Sequence, residues 1–324
     1  NGRVAYACEA CTEAPETLVS VDIYSGDVRH VVDGGYAPHW SPDGTRLALF
    51  AWQSGPGDED WGNLLVDQDG TDPVDLGPAY QARWSPDATR LAFVTLESEL
   101  VVADLNGNRQ VIHSAAAMSG EIAWSPDGAR IAFVKCPTCV PDEPIIDPPA
   151  AIFTINVDGT GVRQVSDVGV PRLLAWSPDG TQLAFVNVDL STGEMDVTAL
   201  DLSTGTLTVV DRVRTAGDPW QDTPWSPDGT RFVFADGSKI RVVDEFQTAS
   251  EATTIAETEG DLEPGNPQFA PDGNWILFTV WHRNAPTSDA AIWAARADGS
   301  GEPIPLEPDG GPFADWQVEL VAPD

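Results

Sequence analysis

With 324 residues, 42% of them hydrophobic, the chain is long enough to bury a large core, and it has no apolar run of the length a membrane-spanning helix needs. Asp and Glu number 51 against 17 Lys and Arg, a net charge of −34, which excludes nucleic acid and anionic membranes as natural partners. The acidity reads as a solvated surface that favours solubility. It also suits cations or a basic partner.

The elements recur. Arg3–Ala7, Thr17–Tyr24 and Val28–Val32 read as three strands with a turn at Ser25-Gly26-Asp27. Trp-Ser-Pro-Asp-Gly then begins at Trp40. It returns at Trp84 (with Ala88 for Gly), Trp124, Trp176 and Trp225, and as Phe-Ala-Pro-Asp-Gly at Phe269. The intervals are 44, 40, 52, 49 and 44 residues, a period that marks one supersecondary unit per repeat. In the unit from Trp40, Pro42 suits a type I turn and Gly44 the left-handed residue after it. Arg46–Phe50, Asn63–Asp67 and Pro73–Leu76 follow as short strands, with a turn at Gln68–Thr71. Each unit is thus a four-stranded antiparallel meander, as in a β-propeller blade. Near the end, Phe313–Gln317 supplies an aromatic first strand with no hairpin after it.

The expected fold is all-β: a seven-bladed β-propeller of four-stranded antiparallel blades in one domain, 1–324. Six blades begin near 36, 80, 120, 172, 221 and 265, and the seventh is shared by 1–33 and 312–320. The C-terminal strand is expected to join the N-terminal blade and close the ring, removing an exposed strand edge. Six blades with frayed ends is the alternative. The chain opens at Asn1 directly on a strand, with no signal peptide, as a processed or trimmed chain would.

The Trp-Ser-Pro-Asp-Gly hairpin followed by Leu-Ala-Phe resembles the repeat of TolB-like propellers, over essentially the whole chain. The resemblance implies the fold. It leaves function open, because similar repeats occur in periplasmic binding proteins, peptidase propellers, extracellular sensor domains and polysaccharide lyases.

Four cysteines form two Cys-x-x-Cys pairs, Cys8/Cys11 and Cys136/Cys139, at equivalent places after the second strand of the first and fourth blades. Those blades lie nearly opposite each other in a seven-bladed ring, too far apart for a shared zinc. Two local disulfides are expected, implying a periplasmic or extracellular location. Free thiols, or metal or redox chemistry, are the alternatives.

Two candidate regions follow from the meander. The row before each repeat aromatic should line a channel, and with the residues two positions earlier it brings His39, Arg83, Glu121, Asp222, Gln268 and Asp315 together if alternation holds. A polar, water-filled channel is the plain alternative to a ligand site. At the end of the ring carrying the variable loops, Trp52, Trp61, Trp220, Trp281 and His282 offer an aromatic face for a protein or glycan, unless each indole caps its own loop.

Catalytic motifs are absent: no Gly-x-Ser-x-Gly elbow, no His-Glu-x-x-His and no phosphate-binding Gly loop. Lyases with a similar repeat use a His-rich metal centre in the channel, whereas here only His39 of the four His lies on an inner strand. Asp67–Asp72, Asn156–Gly159 and Arg296–Gly299 look like fragments of calcium loops but fall where hairpin turns belong. No cofactor and no metal are expected. The expectation is a secreted or periplasmic, non-enzymatic binding propeller, monomeric, recognising a protein or glycan through its loop-rich face. A lyase or hydrolase with its site at the channel mouth, or the sensor domain of a membrane-anchored protein, are the alternatives.

Overall fold

The computed structural model describes residues 3–8, 17–22, 28–33, 35–52, 61–115, 118–136, 150–167, 169–188, 194–213, 224–244, 252–270, 272–282, 291–307 and 314–316. They form seven antiparallel sheets. Sheet 1 holds β1 (Arg3–Cys8), β2 (Thr17–Asp22) and β3 (Val28–Asp33). Sheet 2 holds β4 (Gly35–Trp40), β5 (Arg46–Trp52), β6 (Trp61–Asp67) and β7 (Val74–Gly77). Sheet 3 holds β8 (Arg83–Trp84), β9 (Arg90–Val94), β10 (Glu99–Asp104) and β11 (Arg109–Ser114). Sheet 4 holds β12 (Met118–Trp124), β13 (Arg130–Lys135), β14 (Ala151–Asn156) and β15 (Arg163–Asp167). Sheet 5 holds β16 (Val170–Trp176), β17 (Gln182–Val188), β18 (Met195–Asp201) and β19 (Leu207–Val213). Sheet 6 holds β20 (Arg231–Asp236), β21 (Lys239–Asp244) and β22 (Thr253–Glu257). Sheet 7 holds β23 (Leu262–Phe269), β24 (Trp275–His282), β25 (Ala291–Arg296) and β26 (Ile304–Glu307). Finally β27 (Ala314–Trp316) pairs antiparallel with β1, Val4 opposite Trp316 and Tyr6 opposite Ala314.

Six sheets have four strands, and sheet 6 has three among the described residues, the segment 214–223 before its Trp-Ser-Pro lying outside them. Its Trp-Ser-Pro segment contributes a bridge, Trp225 opposite Phe232, with bonds from Val233 N to Pro224 O at 2.8 Å and from Ser226 N to Arg231 O at 2.9 Å.

The Leu-Ala-Phe strand explains why the sheets stack. Side chains alternate across a strand, so both faces of each sheet must be covered. In β5, Leu47 and Leu49 pack toward sheet 1 with Ala5, Leu18 and Trp40, while Ala48 faces sheet 3 with Leu91 and Phe93. In β13, Ile131 and Phe133 face sheet 3, and Ala132 and Val134 face sheet 5. In β20, Phe232 and Phe234 face sheet 5, and Val233 and Ala235 face sheet 7. Large residues thus point to the preceding sheet and small ones leave room for the next. Successive apolar clusters join sheets 1 and 2 through to 6 and 7.

The same backbone bonds close the hairpin in each repeat, and where the repeat has its Ser the hydroxyl adds to them. Gly44 N bonds Ser41 O and Ser41 N bonds Arg46 O, both at 2.8 Å, with Gly44 at φ 69°. The Ser41 hydroxyl donates to Asp43 (2.6 Å) and accepts from Arg46 N (2.9 Å), closing the turn from inside. Ala88 holds the same left-handed position at φ 58°, at a cost of about 1 kcal/mol. The Asp-Gly segments once compared with calcium loops are turns. Asp69 and Asp158 accept from the backbone and hydroxyl of Thr71 and Thr160, and Gly70 and Gly159 have φ 79° and 86°.

Candidate functional site

The first strands of sheets 2 to 5 and 7, and the Trp225-Ser226-Pro227 segment before sheet 6, end around one cavity of about 460 Å³. Each repeat delivers its aromatic and proline to this mouth, as with Trp84 and Pro86, Trp124 and Pro126, and Trp176 and Pro178. The cavity thus opens at the end of the molecule that carries the short Ser-Pro-Asp-Gly turns, opposite the variable loops.

The indoles hold the walls together. Trp84 Nε1 donates to His39 O (3.0 Å), Trp124 Nε1 to Arg83 O (3.0 Å) and Trp176 Nε1 to Ala123 O (3.1 Å). Every such bond ties a repeat Trp to the residue before the repeat Trp of the preceding sheet. Arginines complete the clamp from behind. Arg90 stacks 5.2 Å over Trp124, Arg130 lies 4.8 Å over Trp176, and Arg231 lies 5.2 Å over Phe269. Arg231 also donates to Gly273 O at 2.7 Å. The wall is a linked surface whose side chains are held before any ligand arrives.

Of the six channel residues expected to converge, His39, Arg83 and Gln268 line this cavity. Gln268 is buried. His39 Nε2 meets the amide of Gln81 and lies 3.4 Å from Arg83 Nη1. Gln81, outside the expected set, also donates to Ala37 O (3.1 Å) and so ties the inner strands of sheets 2 and 3.

Glu121 is not among the described residues lining this cavity. Its Oε2 accepts from Leu173 N at 2.9 Å, where Leu173 is left-handed at φ 56°. Register shifts interrupt simple alternation, in β12 between Met118 and Ile122 among others. Bulges interrupt β4 between Tyr36 and His39, β16 between Arg172 and Ala175, and β23 between Gly265 and Gln268. Ala37, Leu173 and Asn266 sit at these bulges with φ 49°, 56° and 51°. The extra residue shifts everything upstream relative to the row beside the aromatic. Asp222 lies outside the described residues, and so does the side chain of Asp315, whose backbone pairs with Ala5.

At the opposite end, Trp52 and Trp61 are cross-strand partners where β5 and β6 meet the loop between them. Trp281 is half-buried, and its ring lies over Gly265 so closely that a Cβ there would collide with it. That indole covers its own sheet. His282 is exposed, with Nδ1 3.2 Å from Asp261 Oδ1. Trp220 lies outside the described residues. Cys136 is buried and disulfide-bonded, whereas Cys11, Cys139 and the side chain of Cys8 lie outside the described residues. Among the described residues no group of three or more His, Cys, Asp or Glu is placed to hold a metal, and no helix is long and apolar enough to cross a membrane.

Radially stacked four-stranded meanders around a shared cavity define an all-β propeller. The sequence matches the TolB β-propeller domain over residues 57–310, and the chain belongs to that family. An uncharacterised protein of Agrobacterium fabrum is 30% identical over 125 residues, 38% of this chain and 39% of that protein, so the chain matches less than half the relative's length. A TolB structure from Agrobacterium tumefaciens superposes with a TM-score of 0.53 at 20% identity, covering 77% of this chain and 95% of that one. An oligogalacturonate lyase from Vibrio parahaemolyticus superposes with a TM-score of 0.62 at 15% identity, covering 91% of each chain. At such identities the likeness is one of fold.

Proposed function

We propose that this chain is a non-enzymatic binding propeller acting in the periplasm or outside the cell, and that it receives its ligand in the axial cavity. The carrying observation is the cavity itself: about 460 Å³, within the size of small-molecule sites, with walls pre-set by indole hydrogen bonds. In this reading the seven sheets form one ring joined by the pairing of β27 with β1. The disulfide at Cys136, which we assign to Cys139, supports an oxidising compartment. The loop-rich end, with Trp52, Trp61, Trp220, Trp281 and His282, is the face we assign to a protein or glycan partner.

A ligand-observed NMR fragment screen tests the cavity. Hits should vanish in Ala123→Trp, which fills the space from one wall. Hits that persist in that variant place binding elsewhere. Turnover of a glycan panel, abolished by His39→Ala, would replace binding by catalysis.

A further inference from the structure

We infer that the seam between sheets 3 and 4 is acid-sensitive, with His113 holding it shut as an uncharged ring and loosening it when the ring takes a proton. The inference is independent of what enters the axial cavity.

His113 reaches the seam through a register shift. On β10, Leu100 stands opposite His113 and Val101 opposite Val111, so Ile112 is the extra residue of β11. Beyond the shift, the His113 ring lies 5.4 Å from Phe133 of β13, tilted at 56°. Phe133 in turn stacks on Phe153 of β14 at 5.7 Å, and the Lys135 ammonium sits 4.3 Å over Phe153. Both Phe rings belong to the apolar cluster that joins the two sheets, with Leu100, Ile112 and Met118. An imidazole from sheet 3 thus packs into an aromatic contact that already carries an ammonium from sheet 4. His113 and Lys135 are half-buried, and His113 Nε2 is enclosed with no partner among the described residues.

Protonation works against this arrangement twice. Both nitrogens of an imidazolium are donors, and one of them is enclosed here. The proton also places a second positive charge near Lys135. Burial first, and Lys135 second, push the His113 pKa below its ordinary 6.5. Along β10 and β11 the other charges are Glu99, opposite Ser114, and Asp104 and Arg109 at the far end of the pair. β13 adds Arg130 at its other end, β12 adds Glu121, bonded to Leu173 N, and β14 has no charged residue. On β15, Asp167 stands opposite Ala151 and accepts from Gln164 Nε2. Asp142, Glu143 and Asp147 lie outside the described residues. A lowered folded pKa means that the uncharged ring contributes its full stability above 6.5, and that this contribution is lost as pH falls from 6.5 toward the folded value.

The test uses the full chain. Proton NMR of the His113 ring reads its pKa, and urea unfolding from about pH 8 to about pH 5.5, the window in which histidine titrates, reads the stability. The ring should titrate below 6.5. The folding equilibrium constant should fall with pH by up to about tenfold per unit, the limit for a single group. His113→Gln should flatten that fall. Lys135→Met keeps the imidazole and removes the like charge, so it should move the His113 pKa back toward 6.5 and shrink the fall. Hydrogen exchange under mild acid should rise first in β11 and β13. A ring that titrates at or above 6.5, or a pH dependence that neither variant changes, overturns the inference. Exchange that rises uniformly over all sheets removes the seam from it. Should His113→Gln fail to fold, the ring titration and Lys135→Met decide the matter by themselves.

Discussion

The seam between sheets 3 and 4 and the seam between sheets 5 and 6 do the same mechanical task with different chemistry. At the first, Arg90 stacks on Trp124 and donates to Gly128 O at 3.4 Å, while Trp124 reaches back to Arg83 O. At the second, Gln182 stands where the arginine belongs, and its Oε1 is buried with no partner among the described residues. Trp225 packs edge-on against Phe232 of its own sheet, centroids 5.0 Å apart. The second seam is joined farther out instead, where Arg241 of β21 meets Asp211 of β19 at 2.7 Å. One clamp rests mainly on a ring face and a carbonyl, with Asp87 3.9 Å from Arg90 as a lesser, exposed partner. The other uses a carboxylate, which salt and acid can weaken.

Breaking the stronger clamp should show the largest effect. Arg90→Ala is expected to cost about 2–3 kcal/mol, combining a partly desolvated cation–π contact with a hydrogen bond. Gln182→Ala should cost under about 1 kcal/mol, since it removes an unpartnered oxygen along with some packing. Urea unfolding of both variants settles it, and equal losses would mean that the two seams do not differ. Next, Asp211→Asn should cost about 1 kcal/mol at low salt, and the loss should shrink in 1 M NaCl while that of Arg90→Ala stays constant. A salt-independent loss at Asp211 would assign it to packing. Smaller still, Ala88→Gly should stabilise sheet 3 by about 0.5–1 kcal/mol, read as a raised midpoint, because glycine takes the left-handed conformation without the Cβ clash.

Acid acts on both regions and serves as their common reference. Hydrogen bonds from Ser85 and Thr89 hold the Asp87 carboxyl down at about 2, and those from Ser226 and Thr230 hold Asp228 at about 2. A depressed folded pKa contributes stability above the unfolded value of 3.8. That contribution is lost as pH falls from about 4 toward 2. Per turn the effect is small, as both carboxylates are exposed. In Ser85→Ala the pH dependence between 4 and 2 should flatten measurably in thermal melts, and an unchanged slope would remove the serine from that account.

The period, the Pro-Asp-Gly turns and the Leu-Ala-Phe strands were legible in the sequence because they are local: turn chemistry acts over five residues and strand alternation over three. Convergence of His39, Arg83 and Gln268 followed from the same register. Gln81 could have been found by its place two residues before Arg83, and the Arg-over-Trp clamp by the recurrence of Arg six residues after the aromatic. Three matters belonged to tertiary structure alone. The bulges at Ala37, Leu173 and Asn266 depend on what the neighbouring sheet offers, as Glu121 offers to Leu173 N, and no spacing within one repeat encodes that contact. The ion pair between Asp211 and Arg241 joins two different repeats, which no local pattern encodes. The end of the molecule that holds the cavity emerged only when the Trp-Ser-Pro segments and their Phe-Ala counterpart met, since a hollow is a property of walls that are distant in sequence and adjacent in space.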